Sequence, residues 1–310
     1  MTLQKNPAIK NAEELHIPVL FQEVLEQLRP CSSGCYVDGT LGLGGHTKLI
    51  LEHSAPAGQV LGFEWDGQAA QVAKKRLARF GGRFQLIPTS YAELLTQCHR
   101  YEQEQVDGIL VDLGVSSLQL DSPERGFSFR VDAPLDMRMD SRREVTAEQL
   151  VNTLKHEELA DIFFNYGEER QARRVAKFIA EARIEQPVTS TRQLAEIVGR
   201  AIPKKYHLKK IHVATKVFQA LRIAVNRELD NLMRLLIDGP QLLKPGAKIC
   251  VITFHSLEDR MVKQAFVGNP LCKVLTKKPI LPTADEVRKN PRSRSAKLRV
   301  AERVQNAVST

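Results

Sequence analysis

The sequence has few cysteines, few aromatic residues and no long apolar run. Its five cysteines are scattered along the chain: Cys31, Cys35, Cys98, Cys250 and Cys272. Only the first two lie close together, without the second pair that a four-ligand zinc site needs, so we expect reduced, structural cysteines and no metal. The longest apolar stretches, 108–115 and 249–254, are far shorter than the ~20 residues that cross a bilayer. This excludes a membrane-spanning helix.

Targeting signals and compositional bias are also missing. Residues 1–16 have neither the apolar core of a signal peptide nor the Arg-rich, acid-poor pattern of a transit peptide, so we expect a cytoplasmic protein. The 18 glycines and 15 prolines among 310 residues are ordinary numbers, and 43% of the residues are hydrophobic. Together these values exclude a disordered or collagen-like chain and predict a packed core.

Positive charge is in excess and unevenly placed. The net charge is +9, and residues 271–310 hold ten Lys or Arg against three acids, while residues 201–216 hold five lysines and no acid. This distribution favours a polyanionic partner such as nucleic acid. For any single cluster, a solvated surface without a partner is the alternative.

Short apolar runs alternate with helical stretches over the first 115 residues, the βαβ pattern of a parallel sheet. The predicted strands are 35–38, 59–64, 83–88 and 108–113, and the predicted helices are 47–53, 67–80 and 92–101. From about 115 to 216 the pattern is turn-rich and then helical, with no convincing strand. A long helix over 214–237 that stops at Gly239–Pro240, a strand over 247–254, a helix over 259–266 and strands over 272–275 and 296–301 resume the α/β pattern. We therefore predict an α/β domain of residues 1–115 and 217–310, interrupted by a helical insertion of residues 116–216.

The insertion contains amphipathic helices. Ala172, Val175, Ala176 and Ile179 recur at helical spacing, which predicts one buried face. Four basic residues recur on the opposite face: Arg170, Arg173, Arg174 and Lys177. Thr146 and Gln149 have the spacing of a capping box at the start of an earlier helix.

A glycine-rich turn follows the first predicted strand. Residues 36–47 read YVDGTLGLGGHT, and glycines in such a turn let a ligand approach the backbone at a helix N-terminus. The dinucleotide fingerprint would need a third glycine where Thr47 stands, so a nucleoside without a pyrophosphate fits better. A tight turn without a ligand is the alternative.

Acids stand at the ends of neighbouring predicted strands. Glu64 follows the glycines by roughly 20 residues, where such folds bind ribose hydroxyls, and Asp112 ends the fourth strand beside Asp38 if the strand order is 3-2-1-4-5. Asp112 alone could equally be a helix cap or an Asx-turn. The three acids together favour a binding site.

Residues 253–259, Thr-Phe-His-Ser-Leu-Glu-Asp, end the fifth predicted strand. Adjacent residues of an extended segment point to opposite faces, and no G-x-S-x-G elbow occurs, so a Ser-His-acid hydrolase is disfavoured. Ser256 is the predicted cap of the following helix. No cysteine follows a proline at a strand end, which disfavours attack on a pyrimidine ring carbon through a thiolate.

A series of short motifs runs through nearly the whole chain: His16–Leu20, Asp38–Thr40 with Gly44–His46, Asp112–Ser117, Arg125–Phe129, Pro134–Asp140, Tyr166–Glu169, Phe218–Arg222 and Phe254–Asp259. This series resembles the ordered motifs of the bacterial RsmH (MraW) family. The resemblance implies a class I, Rossmann-like methyltransferase fold with a helical insertion. It also implies S-adenosylmethionine-dependent methylation of N4 of a cytosine in the decoding centre of 16S rRNA, at position 1402.

The same resemblance implies roles for individual residues. Gly44, Gly45 and His46 would contact the methionine end of the cofactor, and Glu64 would hold its ribose. Tyr91 would lie against the adenine, and Asp112 and Gln119 would complete the pocket. This chain has Glu at 64 where the family often has Asp, Tyr at 91 where it often has Phe, and Thr40 where many class I methyltransferases have a first glycine.

For catalysis, the cytosine amino group needs an acceptor for its proton. Asp112 is the first candidate and His255 the second, although Asp112 could serve only the cofactor. Phe127, Phe129 and Tyr166 are candidate contacts for a splayed-out base, with core packing as the alternative. Arg170, Arg173 and Arg174 are candidate phosphate contacts.

The predicted partner is 16S rRNA within the small ribosomal subunit, and no membrane. A homodimer is one of the assemblies that the sequence leaves open. Another nucleic-acid amino-methyltransferase and a non-catalytic RNA-binding assembly factor remain the rival functions, although the D/N/S-P-P-Y/F/W motif of many DNA enzymes is absent.

Overall fold

The computed structural model describes residues 18–207 and 211–305. His16 and Ile17 of the first motif, and Lys209 and Lys210 of one basic segment, lie outside the described residues. The chain divides into two compact units. A sheet unit combines residues up to Gly114 with residues from Leu229 onward, and a helical unit comprises Val115–Glu228.

The strands are β1 Cys35–Asp38, β2 Gln59–Phe63, β3 Phe84–Ile87, β4 Val106–Asp112, β5 Leu243–Thr253, β6 Cys272–Val274 and β7 Lys297–Arg303. In the described chain they form one sheet in the order β3-β2-β1-β4-β5-β7-β6. The first five strands are parallel, whereas β7 is antiparallel to both β5 and β6. The predicted α/β class and the predicted 3-2-1-4-5 order are confirmed.

The α-helices of the described residues are α1 Phe21–Leu28, α2 Gly45–His53, α3 Gly67–Leu77, α4 Leu94–Arg100, α5 Ser117–Asp121, α6 Ala147–Thr153, α7 His156–Gly167, α8 Ala172–Glu185, α9 Thr191–Ala201, α10 Thr215–Asn226, α11 Glu228–Leu242, α12 Ser256–Gly268 and α13 Ala284–Lys289. Short 3₁₀ segments include Tyr91–Glu93 and Pro291–Ser295. None of these helices is long and apolar enough to cross a bilayer.

The sheet is covered on both faces, as its near-continuous apolar strands predict. Ile109 and Val111 of β4 belong to one buried cluster, and Leu110 between them belongs to a second cluster on the other face. Because successive side chains of a strand point to opposite faces, the same strand contributes to both cores and its ends are held rigidly.

The helical unit has its own core. Phe163 of α7, Val175 of α8 and Leu194 of α9 are fully buried and belong to one cluster. On α8 the four predicted apolar residues are buried, whereas the basic residues from Arg170 to Lys177 are exposed. The capping box is also present, with Thr146 Oγ1 accepting the Gln149 N–H at 3.1 Å.

The prediction of a single long helix over 214–237 is wrong, because the segment forms two helices. Arg227 between α10 and α11 has φ 53°, which breaks the helical path. The break places Asn226 where its side chain binds the backbone of Met137 and Met139 at 2.8 and 2.7 Å. Helix α10 packs in the helical core, so the helical unit extends to Glu228 and not to residue 216.

Gly239–Pro240 is not the stop that the sequence indicates, since α11 continues to Leu242. Pro240 lies in the last turn, so the missing N–H and the ring disturb only the end of the helix. A Cβ on Gly239 would be 3.2 Å from Ile249 Cδ1, so this glycine permits close packing of the helix on β5. Helix α12 and strands β5 and β7 also extend a few residues beyond their predicted ends.

Two glycines of the helical unit give opposite predictions. Gly126 has φ +71°, and an added Cβ would collide with the Pro134 carbonyl oxygen, whereas the Cβ site of Gly199 in α9 is open. We expect Gly126→Ala to lower the free energy of unfolding by about 2 kcal/mol or more and Gly199→Ala to raise it by about 0.5–1 kcal/mol. Urea unfolding of both variants measures this. Equal stability of Gly126→Ala and the wild type would contradict the described turn.

Candidate active site

Three acids lie at one edge of the sheet. Asp38 and Asp112 end β1 and β4, and Glu64 immediately follows β2. These strands are parallel neighbours in the sheet, so their carboxyl ends meet at the same edge. Ligands of open α/β sheets bind at this position, where the strand order reverses direction.

The glycine-rich turn connects β1 to α2 at this edge. Gly42 and Gly44 have φ +52° and +77°, a conformation that side chains other than glycine rarely adopt. The Gly42 N–H donates to Glu64 Oε2 at 2.8 Å. The turn is therefore fastened to the end of β2 by the acid that the resemblance assigns to ribose binding.

Two threonines form hydrogen bonds with the aspartates at the strand ends. Thr47 Oγ1 donates to Asp38 Oδ2 at 2.7 Å, and the Asp112 N–H donates to Thr40 Oγ1 at 2.6 Å. Sequence reasoning did not assign either threonine to the site. One sign of this role was present in the sequence, because Thr40 stands where a glycine is common. A hydroxyl is needed at this position to join the end of β1 to β4.

Asp112 is largely buried, with 21% of its side chain exposed. Its Oδ1 accepts no hydrogen bond from the described residues, and its Oδ2 lies 3.8 Å from His46 Nε2. Burial, and then the charges of Asp38 and Glu258, raise the pKa of Asp112 well above its usual range. This carboxyl therefore keeps unused acceptor capacity, and a positive charge nearby would stabilise its ionised form.

Glu64 and Asp38 are also buried. Burial raises the pKa of Glu64 to about 7 and that of Asp38 to about 6. Hydrogen bonds limit both shifts, since Glu64 Oε1 accepts the Asp66 N–H at 2.8 Å. A carboxylate has about four acceptor positions, so Glu64 keeps acceptor capacity for two hydroxyls.

His255 is the N-cap residue of α12, and the prediction that Ser256 caps this helix is wrong. His255 Nδ1 accepts the Glu258 N–H at 3.4 Å, and Glu258 Oε2 accepts the Phe254 N–H at 2.9 Å. The reciprocal cap needs a glutamate three residues after the capping residue. Glu258 has this spacing from His255, so His255 is the cap and Ser256 is the first residue of the helix. The three-residue spacing of His255 and Glu258 in the sequence already matched a capping box. Glu258, which is 2% exposed, is a residue that sequence reasoning missed.

The two remaining predicted cofactor contacts lie in different units. Tyr91 is buried beside the first strand end, with its Cβ 3.1 Å from the point where a Cβ of Gly39 would be. Gln119 belongs to the helical unit, where its Oε1 accepts the Ser116 N–H at 3.0 Å as part of a capping box. Their roles toward a cofactor stay predictions.

The aromatic candidates pack within the helical unit. The Phe129 ring centroid lies 4.6 Å from that of His212 and 4.8 Å from that of Phe218. Phe127 and Tyr166 also pack partly buried against the helical core. This is the packing that the sequence analysis gave as the alternative, and a role in base stacking stays a prediction.

The basic candidates differ from one another. Arg174 Nε donates to the Ala201 carbonyl at 2.5 Å, and its guanidinium lies 5.3 Å from the Phe178 ring centroid. Arg170 and Arg173 have exposed side chains. All three carry charge at the surface of the helical unit, and their contact with phosphates stays a prediction.

Comparison with known proteins adds to this geometry. Residues 13–304 match the sequence model of the MraW methylase family. The chain is 53% identical over 294 residues to ribosomal RNA small subunit methyltransferase H of Desulfotalea psychrophila, covering 95% of this chain and 100% of the relative. It is 52% identical over 298 residues to the protein of the same name from a Cyanothece species, covering 96% and 98%.

Among solved structures, a putative rRNA-methylase from Clostridium thermocellum aligns with a TM-score of 0.45 and 12% identity, over 94% of this chain and 100% of that one.

The buried acids predict an unusual pH dependence of stability. The folded chain holds protons on Asp38 and Glu64 up to about pH 6 and 7, whereas the unfolded chain releases them near pH 4. The free energy of unfolding should therefore fall as pH rises from 5 to 8, by roughly 1–4 kcal/mol. Urea unfolding at several pH values measures this.

Glu64→Gln should reduce that fall, and the exposed-carboxyl control Glu26→Gln should leave it unchanged. A stability that is constant or rises over this pH range would contradict the described burial of the acids.

Proposed function

The chain belongs to the MraW methylase family, and on this premise we propose that it methylates the N4 amino group of a cytosine in the decoding centre of 16S rRNA. Its relatives are named as methyltransferases of small-subunit ribosomal RNA, and S-adenosylmethionine is the methyl donor. The observation that carries the proposal is the largely buried Asp112 carboxyl, one oxygen of which accepts no hydrogen bond from the described residues, at the same sheet edge as the glycine-rich turn.

The residues at the sheet edge fit this cofactor. Glu64 has acceptor positions left for the ribose hydroxyls, and the turn at Gly44, Gly45 and His46 presents backbone near a helix N-terminus for the methionine end. Tyr91 would lie against the adenine. Buried carboxyls without a cationic partner favour a positively charged ligand, and S-adenosylmethionine carries a sulfonium.

The cofactor supplies a methyl group that the sulfonium already activates, so the protein has to position the acceptor and remove a proton. The lone pair of the cytosine N4 is delocalised into the ring, and an acceptor for an N4–H bond makes the nitrogen more nucleophilic. Asp112 fits this role, because its Oδ1 accepts no hydrogen bond from the described residues and its raised pKa makes it a stronger base than an ordinary aspartate. The N4 proton passes to this carboxylate.

His255 is the second candidate base. Its Nδ1 accepts a hydrogen bond as the cap of α12, so in the neutral imidazole Nε2 carries the proton and cannot accept another, and Nε2 lies 3.1 Å from Glu258 Oε1. The imidazole is thus engaged in a structural role that the Asp112 Oδ1 does not have. We therefore assign proton acceptance to Asp112.

Product identification tests the proposal. The protein is incubated with isotopically labelled S-adenosylmethionine and with unmodified small ribosomal subunits, naked rRNA or DNA, and the digested nucleosides are analysed by mass spectrometry. We expect label in N4-methylated cytidine from the ribosomal substrate. Binding of the cofactor without label in any nucleic acid would reject the substrate, and label in another nucleoside would reject the reaction.

Two variants in the same assay separate the candidate bases. Asp112→Asn should lower turnover at saturating cofactor and RNA by about 100-fold or more, the usual contribution of a general base, beyond any weakening of cofactor binding that the lost charge causes. His255→Asn removes the imidazole but keeps a good capping side chain, and should retain most of the activity. If Asp112→Asn instead weakens only cofactor binding, Asp112 serves the cofactor and not the substrate.

A further inference from the structure

A strongly basic turn precedes β7. We call residues 288–297, which read RKNPRSRSAK, the edge turn. They contain five lysines or arginines and no acid. The turn joins the end of α13 to the start of β7 and includes the 3₁₀ segment Pro291–Ser295.

The register of the sheet places the edge turn beside the reacting residues. Asp112 pairs with Ile252 of β5, and Ile252 pairs with Leu298 of β7, so these three residues form a row across adjacent strands. At about 4.8 Å per strand, the backbone of Leu298 is about 10 Å from that of Asp112. Because β7 is antiparallel, the edge turn ends where β4 and β5 finish, at the same sheet edge.

The backbone of the edge turn is fixed. Ser293 and Ala296 are 0% and 1% exposed, Ser293 Oγ donates to the Asn290 carbonyl at 2.8 Å, and the Ala296 N–H donates to the Ser293 carbonyl at 2.8 Å. Before it, Glu286 of α13 accepts the Leu20 N–H at 2.8 Å. Buried residues and hydrogen bonds thus hold the backbone of the edge turn in place, while its charged side chains are at the surface. A backbone that is already ordered loses less conformational entropy when a ligand binds.

The basic side chains of the edge turn have different surroundings. Arg288 pairs with Asp285, and Lys297 Nζ lies 3.3 Å from Asp259 Oδ2. Lys289 and Arg294 have exposed side chains, and the turn itself supplies no acid. A fixed cluster of exposed positive charge suits a row of phosphates.

We propose that the edge turn binds backbone phosphates of the RNA nucleotides that flank the target cytosine and thereby positions the base at Asp112. This inference rests on the proposed function and assigns to it a substrate-positioning surface in the sheet unit. RNA is favoured over an anionic membrane, because surface-bound membrane segments pair basic residues with an exposed apolar face. In the edge turn the apolar Ala296 is buried, and α13 has only six residues.

A charge-matched pair of double variants tests the proposal. Lys289→Gln with Arg294→Gln removes two exposed charges from the edge turn. Lys74→Gln with Lys75→Gln removes two exposed charges from the last turn of α3. The probes are an unmodified rRNA fragment that contains the target cytosine, labelled S-adenosylmethionine, and vesicles of phosphatidylglycerol and phosphatidylcholine.

For the edge-turn variant we expect RNA affinity to fall by about 10- to 30-fold near 0.15 M salt, and the slope of log K against log salt to decrease by about 2. The KM for RNA should rise similarly, while kcat at saturating RNA, cofactor affinity and the thermal unfolding midpoint stay near the wild-type values. The α3 control should bind and methylate RNA as the wild type does.

Wild-type RNA affinity and salt slope in the edge-turn variant would overturn the proposal, as would an equal loss in the α3 control. Loss of vesicle binding with unchanged RNA affinity would instead assign the turn to a lipid surface. Normal methylation by both variants would reject the RNA-binding role of the edge turn but not the proposed function. Absence of rRNA binding and of methylation in the wild type rejects the proposed function as well.

Discussion

The burial of carboxyl groups at one edge of the sheet is the constraint on which the site depends. Asp38, Glu64 and Glu258 are each less than 9% exposed, and a buried carboxylate is stable only with hydrogen-bond donors. The donors come from the chain around each acid: the Thr47 hydroxyl, the Gly42 N–H and the Phe254 N–H. The glycine turn, the threonine bridge and the cap of α12 are therefore parts of one arrangement that keeps these acids in place.

This arrangement leaves the acids incompletely stabilised in the free protein. Burial raises the pKa values of Asp38, Glu64 and Asp112, and repulsion by neighbouring acids adds to the shifts of Glu64 and Asp112, which is the pattern expected of a functional site. A positive charge near these acids would relieve that repulsion. Under the proposed function, the sulfonium of the cofactor would supply this charge and its ribose hydroxyls would supply further donors, so the burial of the acids would favour a cationic nucleoside and raise the basicity of Asp112.

Local signals in the sequence predicted most of the architecture. Apolar runs and glycines indicated the five parallel strands, the switch point between β1 and β4, and the acids that meet there. The failures occurred where a contact distant in sequence decides the local structure. Arg227 interrupts a strongly periodic helix because the neighbouring Asn226 binds backbone almost 90 residues earlier in the chain, at Met137 and Met139, and the Thr40 contact with Asp112 spans 72 residues. The cap of α12 is a different case, because its contact is local: His255 and Glu258 have the spacing of a capping box in the sequence, and the prediction chose the neighbouring Ser256 instead.

The central claim is that the cofactor binds at the carboxyl ends of β1, β2 and β4. Amide hydrogen exchange with and without S-adenosylhomocysteine tests it directly on the full chain. The account predicts slower exchange in the turn 39–47, at 64–66 and at 112–114, with little change at the amino ends of the same strands. Protection confined to other parts of the chain, with these three segments unchanged at saturating ligand, would contradict it.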